Sequence, residues 1–192
     1  MSNDPDAAPA ATGTTSDDTT AVDEPNGSWR LVSPADIPFV YHLVAQVDPR
    51  WWRFSRHGLE PSQVLQTAAG IAAGALVSTA EGEPVACALL ADAGVSGTGM
   101  FEYFALPHPV AEALARQFAP ELLAAAFNGA PIRRLYHERF SGDADVLGTA
   151  AHAFELEVTF PEFALINGTY EDRTTSVLTP ESFARWQAGS LA

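Results

Sequence analysis

Phe154-Glu155-Leu156-Glu157, then Glu162-Phe163-Ala164-Leu165-Ile166-Asn167-Gly168-Thr169-Tyr170-Glu171-Asp172-Arg173, then Leu178-Thr179-Pro180-Glu181-Ser182-Phe183, make up the most informative third of the chain. Asn167-Gly168 is its strongest hairpin signal, because a two-residue type I′ turn needs positive φ at both central positions. Strand-like runs lie on either side: 154–160 and 162–166 before the turn, 170–178 after it. Thr179-Pro180-Glu181 then starts a final helix reaching to about Gln187.

Upstream of that hairpin, helical and strand-like patterns alternate. Residues 132–140 read as a strand and 143–153 as a short helix. Val110, Leu114, Phe118 and Leu122 recur four apart, which marks a long helix closed by Asn128-Gly129. Pro120 interrupts it, and an interior proline costs about 3 kcal/mol, so a break or kink is expected at Ala119. Residues 75–79, 84–91 and 100–106 read as antiparallel strands joined by Glu81-Gly82-Glu83 and Ser96-Gly97-Thr98-Gly99 turns. Nearer the N-terminus, 29–32 is a short strand. Ser33-Pro34-Ala35-Asp36 starts a helix carrying Phe39, Val40, Leu43, Val44 and Val47 at helical spacing. An aromatic cluster, Trp51-Trp52-Arg53-Phe54, precedes a second helix over about 60–69.

The 192 residues suit one domain, and 47% of them are hydrophobic, enough for a core. The formal net charge is -14; the first 28 residues hold six acids and no base. That segment, rich in Asp, Thr, Ala and Pro, cannot offset its ordering entropy, so 1–28 reads as a disordered acidic tail and 29–192 as the folded domain. Acidity of this degree repels phosphate backbones and anionic lipid, and favours a cationic or amine-bearing partner over nucleic acid or membrane. No apolar run reaches membrane-spanning length and no secretory leader is visible, so the cytoplasm is the expected location. The ten basic residues are all arginine, a composition typical of GC-rich bacterial coding sequence. Cys87, the single cysteine, lies in an apolar strand and reads as a buried small hydrophobe. The five histidines show no metal-ligand spacing, and no nucleophile-elbow, Walker or dinucleotide-binding motif is present.

The order of elements, with the Asn167-Gly168-Thr169-Tyr170-Glu171-Asp172 turn and the Leu178-Thr179-Pro180-Glu181-Ser182-Phe183 close, resembles the GNAT superfamily of N-acetyltransferases. The likeness is to the branch that acetylates ribosomal-protein N-termini and small amines. The resemblance implies an α/β (α+β) fold with a mixed, mostly antiparallel central sheet of six to seven strands flanked by helices. It implies acetyl-CoA as donor, a small-molecule amine or a peptide N-terminus as acceptor, and it allows a homodimer. The cofactor is expected in a V-shaped gap between 100–106 and 132–140, and the acceptor between the first two helices and the central strands.

One segment departs from that pattern. The family follows its fourth strand with an Arg/Gln-X-X-Gly-X-Gly/Ala loop, whose backbone N–H groups hold pyrophosphate at a helix N-terminus. Here the segment is Leu106-Pro107-His108-Pro109-Val110-Ala111-Glu112, without glycine or arginine, with two prolines that lack N–H groups, and with an acid where phosphate would sit. Coenzyme A binding in the usual way is therefore in question. By position, Phe104, Leu106, His108 and Val110 are the cofactor-side candidates, with Arg116 or Arg133 as a substitute cation.

Amine acylation needs a base for the ammonium proton and an acid for the leaving thiolate. Glu102 is the candidate base: it shares a strand face with Phe104, and an apolar neighbour should raise its pKa. Tyr136 and His137 are candidate acids or bases on the next strand. Trp51, Trp52, His57 and Glu138 are candidate acceptor contacts. Tyr170 shapes the hairpin and is a further substrate-side candidate. The family's tyrosine acid is expected within about 145–154, where this chain has none. The competing expectation is a GNAT-like domain without coenzyme A activity, acting as a binding or regulatory module or with altered chemistry in the same cleft.

Overall fold

The computed structural model describes residues 25–47, 71–94, 96–166 and 168–189. Trp51, Trp52 and His57, the helix expected over 60–69, Asn167 of the hairpin turn and residues 1–24 of the expected tail lie outside them.

Strand β1 (Gly27–Leu31) starts two residues before Trp29. Gly27 already belongs to the packed structure: a Cβ there would meet the Ser78 carbonyl oxygen at 2.5 Å and Leu114 Cδ2 at 2.7 Å. A 3₁₀ turn (Pro34–Asp36) leads into helix α1 (Ile37–Val47). Asp36 closes that start. Its carboxylate accepts from the Ser33 N–H and hydroxyl at 2.7 Å each, and from Arg30 through both guanidinium nitrogens at 2.7 Å. The Arg30 hydrogen bonds, then those from Ser33, hold the Asp36 carboxyl well below the usual carboxylate range.

Strands β2 (Ile71–Thr79), β3 (Pro84–Ala91) and β4 (Thr98–Ala105) follow as a meander, with β2 extending four residues ahead of its expected start. Helix α2 (Pro109–Gly129), strand β5 (Arg134–Phe140), a 3₁₀ segment (Gly148–Ala153), the hairpin β6 (Glu155–Ile166) and β7 (Thr169–Leu178), and helix α3 (Pro180–Gln187) complete the order. The seven strands form one sheet, ordered β1-β2-β3-β4-β5-β7-β6. Every neighbouring pair is antiparallel except β4 and β5. This is the mixed, mostly antiparallel sheet flanked by helices that the sequence resemblance implies.

Period-2 alternation sorts β4 between two cores. Phe101, Tyr103 and Ala105 face α2, beside Leu114, Leu123, Leu135 and Leu178. Phe104 faces α1, beside Val40, Leu43, Leu76, Cys87 and Leu89. Leu114, Leu123, Leu135 and Leu178 are completely buried, each adding about 1.5–3 kcal/mol relative to exposure. Cys87 is enclosed as expected, and burial pushes its thiol up to about 12. Among the described residues no helix is long and apolar enough to cross a membrane. At the sheet edge, β6 leaves Leu156, Phe163 and Leu165 exposed.

Three local expectations change. Of the break or kink expected at Ala119, the break does not occur: helix α2 continues through Pro120 to Gly129. Leu114, Ala115, Phe118 and Ala119 before the proline, and Leu122, Leu123 and Ala126 after it, are all buried against the sheet, and their combined burial exceeds the cost of one lost hydrogen bond and the ring clash. Pro120→Ala restores the N–H that would bond the Arg116 carbonyl. It is expected to stabilise the fold by about 2 kcal/mol, after the loss of proline's restraint on the unfolded chain. A urea midpoint unchanged or lowered in Pro120→Ala would mean that the surroundings have adapted to the ring.

The helix expected over 143–153 contracts to the 3₁₀ segment from Gly148. Carboxylates here bond backbone N–H groups on both sides of the loop, and Asp145 takes two that a helix would use. Asp143 accepts from the Phe140 N–H at 2.7 Å, and Asp145 from the N–H groups of Leu147 at 3.2 Å and Gly148 at 2.9 Å. The two strands expected over 154–166 are one, β6, with an irregular register between Phe160 and Ala164. Glu162 has φ 48° there and donates its N–H to Asp172 at 2.9 Å. Gly168 carries the positive φ expected of the hairpin turn, 82°.

Candidate functional site

Strands β4 and β5 pair over three positions only: Thr98 with Arg134, Gly99 with Leu135 and Met100 with Tyr136. Beyond Met100, β4 stays with β3 and β5 stays with β7, so the sheet opens into a fork. A cavity of about 380 Å³ fills it. Glu102 to Ala105 form one wall and His137 to Phe140 the other, with loop 142–147, Phe154 and Arg173 closing around them and Pro107 and Glu112 at the start of α2.

Backbone alternation shows what β4 offers to the fork. The Leu106 N–H points to β3, where it bonds the Val85 carbonyl at 2.9 Å. The Phe101 carbonyl points the other way and meets His137 Nδ1 at 3.0 Å. Tyr103 and Ala105 have the same parity as Phe101, so their N–H and C=O groups face the opening, where no strand among the described residues is paired with them.

His137 spans the narrow end of the fork. Because the Phe101 carbonyl can only accept, Nδ1 carries the proton, and a neutral ring leaves Nε2 as an acceptor. Desolvation is the main cause lowering the His137 pKa, against the raising effect of the Phe101 hydrogen bond, so the ring is neutral at pH 7. Phe154 packs beside it, ring centroids 5.8 Å apart. What surface His137 keeps opens onto the cavity.

Glu102 and Glu138 lie on the α1 side of the opening by strand alternation, and both line the cavity. Glu138 is ion-paired with Arg173 and accepts from the Thr175 hydroxyl at 3.4 Å. The Arg173 guanidinium in turn lies 4.9 Å from the Phe163 ring centroid and 5.7 Å from that of Phe160. Tyr103 is buried with its hydroxyl donating to the Ala115 carbonyl at 2.8 Å; burial raises its pKa, so it holds α2 against β4 rather than exchanging protons.

The start of α2 does not fit a pyrophosphate. Pro107 and Pro109 have no N–H. The His108 N–H bonds the Leu106 carbonyl at 2.7 Å, and the Glu112 N–H bonds the His108 carbonyl at 3.0 Å. The Val110 N–H bonds His108 Nδ1 at 3.2 Å, so the imidazole occupies the cap position an anion would take. Ala111, almost fully buried, is the remaining donor of the first turn. Glu112 lines the cavity beside this terminus.

Of the residues singled out in the sequence, Glu102, Phe104, His137 and Glu138 meet at the cavity. Tyr136 sits on β5 outside its lining, with the Arg134 guanidinium 5.6 Å from its ring centroid. Leu106 packs against both cores, Val110 is exposed, and His108 caps α2. Arg116 lies 3.7 Å from Glu112 and donates to the Asp145 carbonyl at 3.1 Å, which fastens the 143–148 loop to α2 and places Arg116 outside the cavity lining. Tyr170 is exposed on β7, opposite Leu165. Arg139, Asp143, Asp145 and Arg173 line the cavity without having been singled out. Arg173 had no local signal, because its partner Glu138 is 35 residues away. Among the described residues no group of three or more metal-ligating side chains is present.

No family model matches the sequence, and no curated protein matches it. Solved structures do match the fold. A protein described as a phosphinothricin N-acetyltransferase superposes with a TM-score of 0.62 at 16% identity, covering 80% of this chain and 98% of that one. The spermidine/spermine N-acetyltransferase SpeG from Vibrio cholerae superposes at 0.64 and 14% identity, covering 86% and 97%. A mutant form of SpeG reaches 0.66 at 14% identity, covering 84% and 98%. With the opened β4–β5 pair and the β6–β7 hairpin beside it, these likenesses show that the chain has the fold of the GNAT-type N-acetyltransferases.

Proposed function

We propose that the chain is an N-acyltransferase that moves an acyl group from a thioester to the nitrogen of a small cationic amine or a peptide N-terminus. The observation that carries this reading is the fork beside Glu102, whose lining holds five acidic residues, Glu102, Glu112, Glu138, Asp143 and Asp145, against two basic ones, Arg139 and Arg173. Such a lining attracts an ammonium group and repels a carboxylate or phosphate. Transfer forms the amide C–N bond and breaks the thioester C–S bond. Glu102 takes one proton from the ammonium, and the second, which the nitrogen sheds as the tetrahedral adduct collapses to the amide, goes to the leaving thiolate. His137 Nε2 is placed to accept a hydrogen bond in the fork, and Glu138, oriented by Arg173, is placed to hold the ammonium. The printed name of one solved neighbour, a spermidine/spermine N-acetyltransferase, agrees with this substrate class.

Incubating the purified chain with acetyl thioesters and a panel of amines tests the reading by mass spectrometry. Spermidine and a peptide with a free N-terminus are expected to gain one acetyl group, and phosphinothricin, which carries acidic groups, much less. The proposal fails if no amine is modified and neither thioester nor amine gives heat on titration. A second reading, a binding module without transfer, is favoured by the occupied cap of α2. It predicts heat on amine titration with no acetylated product.

A further inference from the structure

The reading above leaves open which part of the donor the protein recognises. We infer that the fork takes the acyl-bearing arm of a pantetheine thioester and does not read a nucleotide diphosphate, so the donor is held without its nucleotide half. This inference rests on the proposed acyl transfer.

Two sets of observations carry it. The first is the closure of the anion site. Pro107 before α2 and Pro109 at its first position have no N–H, the N–H groups of His108, Val110 and Glu112 are already bonded within 106–112, and Ala111, the remaining donor, is almost fully buried. A diphosphate arriving there would have to displace the His108 imidazole from Val110 and approach the Glu112 carboxylate, both of which oppose it. Arg116, the nearest arginine on α2, is turned to Glu112 and the Asp145 carbonyl. On the opposite wall Arg139 is exposed, but one guanidinium among five carboxylates does not make a diphosphate cradle.

The second is that the arm's half of the site is open. Tyr103 and Ala105 present N–H and C=O groups along an edge that no strand among the described residues covers. An extended chain with amide groups can bond to such an edge as an added strand would, and needs no charge to do so. Pantetheine has that character: two amides in an unbranched arm ending in the sulfur. Beyond it, His137 and Glu102 stand where the thioester would meet the amine.

The test compares acetyl-CoA with acetyl-pantetheine, using the full chain and a fixed amine acceptor, at low and at moderate salt. The expected result is KM values within about twofold of each other and no salt dependence that separates them. Acetyl-CoA favoured tenfold or more at low salt, with the advantage lost as salt rises, would show that the diphosphate is read and would overturn the inference while leaving acyl transfer intact. Inactivity with both thioesters overturns acyl transfer, and the inference falls with it. His108→Gly supplies the second arm, since it releases the Val110 N–H. The preference is expected to move about tenfold toward acetyl-CoA, the worth of one hydrogen bond to a charged group at its low end. An unchanged preference would overturn the assignment of His108 as the group that closes the anion site.

Discussion

Glu102→Gln is expected to lower kcat for amine acylation by about 10²- to 10⁴-fold, the range a positioned base supplies. The amine enters as an ammonium, because unperturbed alkylamines are protonated up to about pH 10. It must lose a proton before its lone pair can attack. Glutamine keeps the shape and the acceptor oxygen of Glu102 but cannot take that proton. The variant should therefore lose kcat with little change in KM, and the acid limb of the pH–rate profile should disappear with it. Glu138, the other carboxylate on the same side of the opening, is engaged by the Arg173 ion pair and the Thr175 hydroxyl, which orient it to hold the ammonium. Glu138→Gln is expected to raise KM for the amine more than it lowers kcat. Glu157→Gln, which breaks a surface pair with Arg134 at 2.6 Å, is the control and should leave the rate unchanged. Should Glu138→Gln remove the acid limb while Glu102→Gln keeps it, the roles of the two carboxylates are reversed.

The sequence made the frame of this site legible through periodicity. The strands over 84–91 and 100–106, the helix with Leu114 and Phe118 four apart, and the Asn167-Gly168 hairpin are each declared by residues close together in the chain. The fork itself was not declared that way. Nothing in Met100 to Leu106 says that pairing with β5 stops after Met100; that expectation came from the family resemblance. Glu102 and His137 could be named because each lies on a wall of the expected gap. Arg173 could not, because it reaches the site through the β5–β7 register, which no local pattern fixes.

The misreadings have physical causes of the same kind. At Pro120 a local penalty was weighed without the burial on both sides that outweighs it. Over 143–147 an acidic, turn-prone run was read as helix, although aspartates are prone to bond nearby N–H groups. At 106–112 the residues showed that a phosphate cradle was missing but not what replaces it. His108, a cofactor-side candidate by its position, has its imidazole on the Val110 N–H of α2, a place where Ser, Thr, Asp and Asn are the usual residues.

Leu135→Ala carries the largest expected effect on stability, because Leu135 sits where the fork begins. It is fully buried, lies opposite Gly99 on β4 and Leu178 on β7, and joins the only described segment in which β4 and β5 touch as strands. Gly99 is part of the same fit: a Cβ there would come within 3.1 Å of Ile132 and 3.2 Å of Leu90. Truncating Leu135 leaves a cavity that neither neighbouring strand can close without losing its register, which places the cost at about 3 kcal/mol. For a domain of this size that is a drop of about 6–12 °C in Tm. Leu156→Ala, at a residue 65% exposed on β6, should change stability by less than about 0.5 kcal/mol. The two variants share a chemistry and differ in place, so their difference measures how much of the fold is anchored at the base of the opening. Three bridged positions are few to hold two strands that part immediately afterwards. If Leu135→Ala melts no lower than Leu156→Ala, the strands are held together elsewhere, and the cavity beside Glu102 loses the rigid walls that proton transfer at a fixed distance demands.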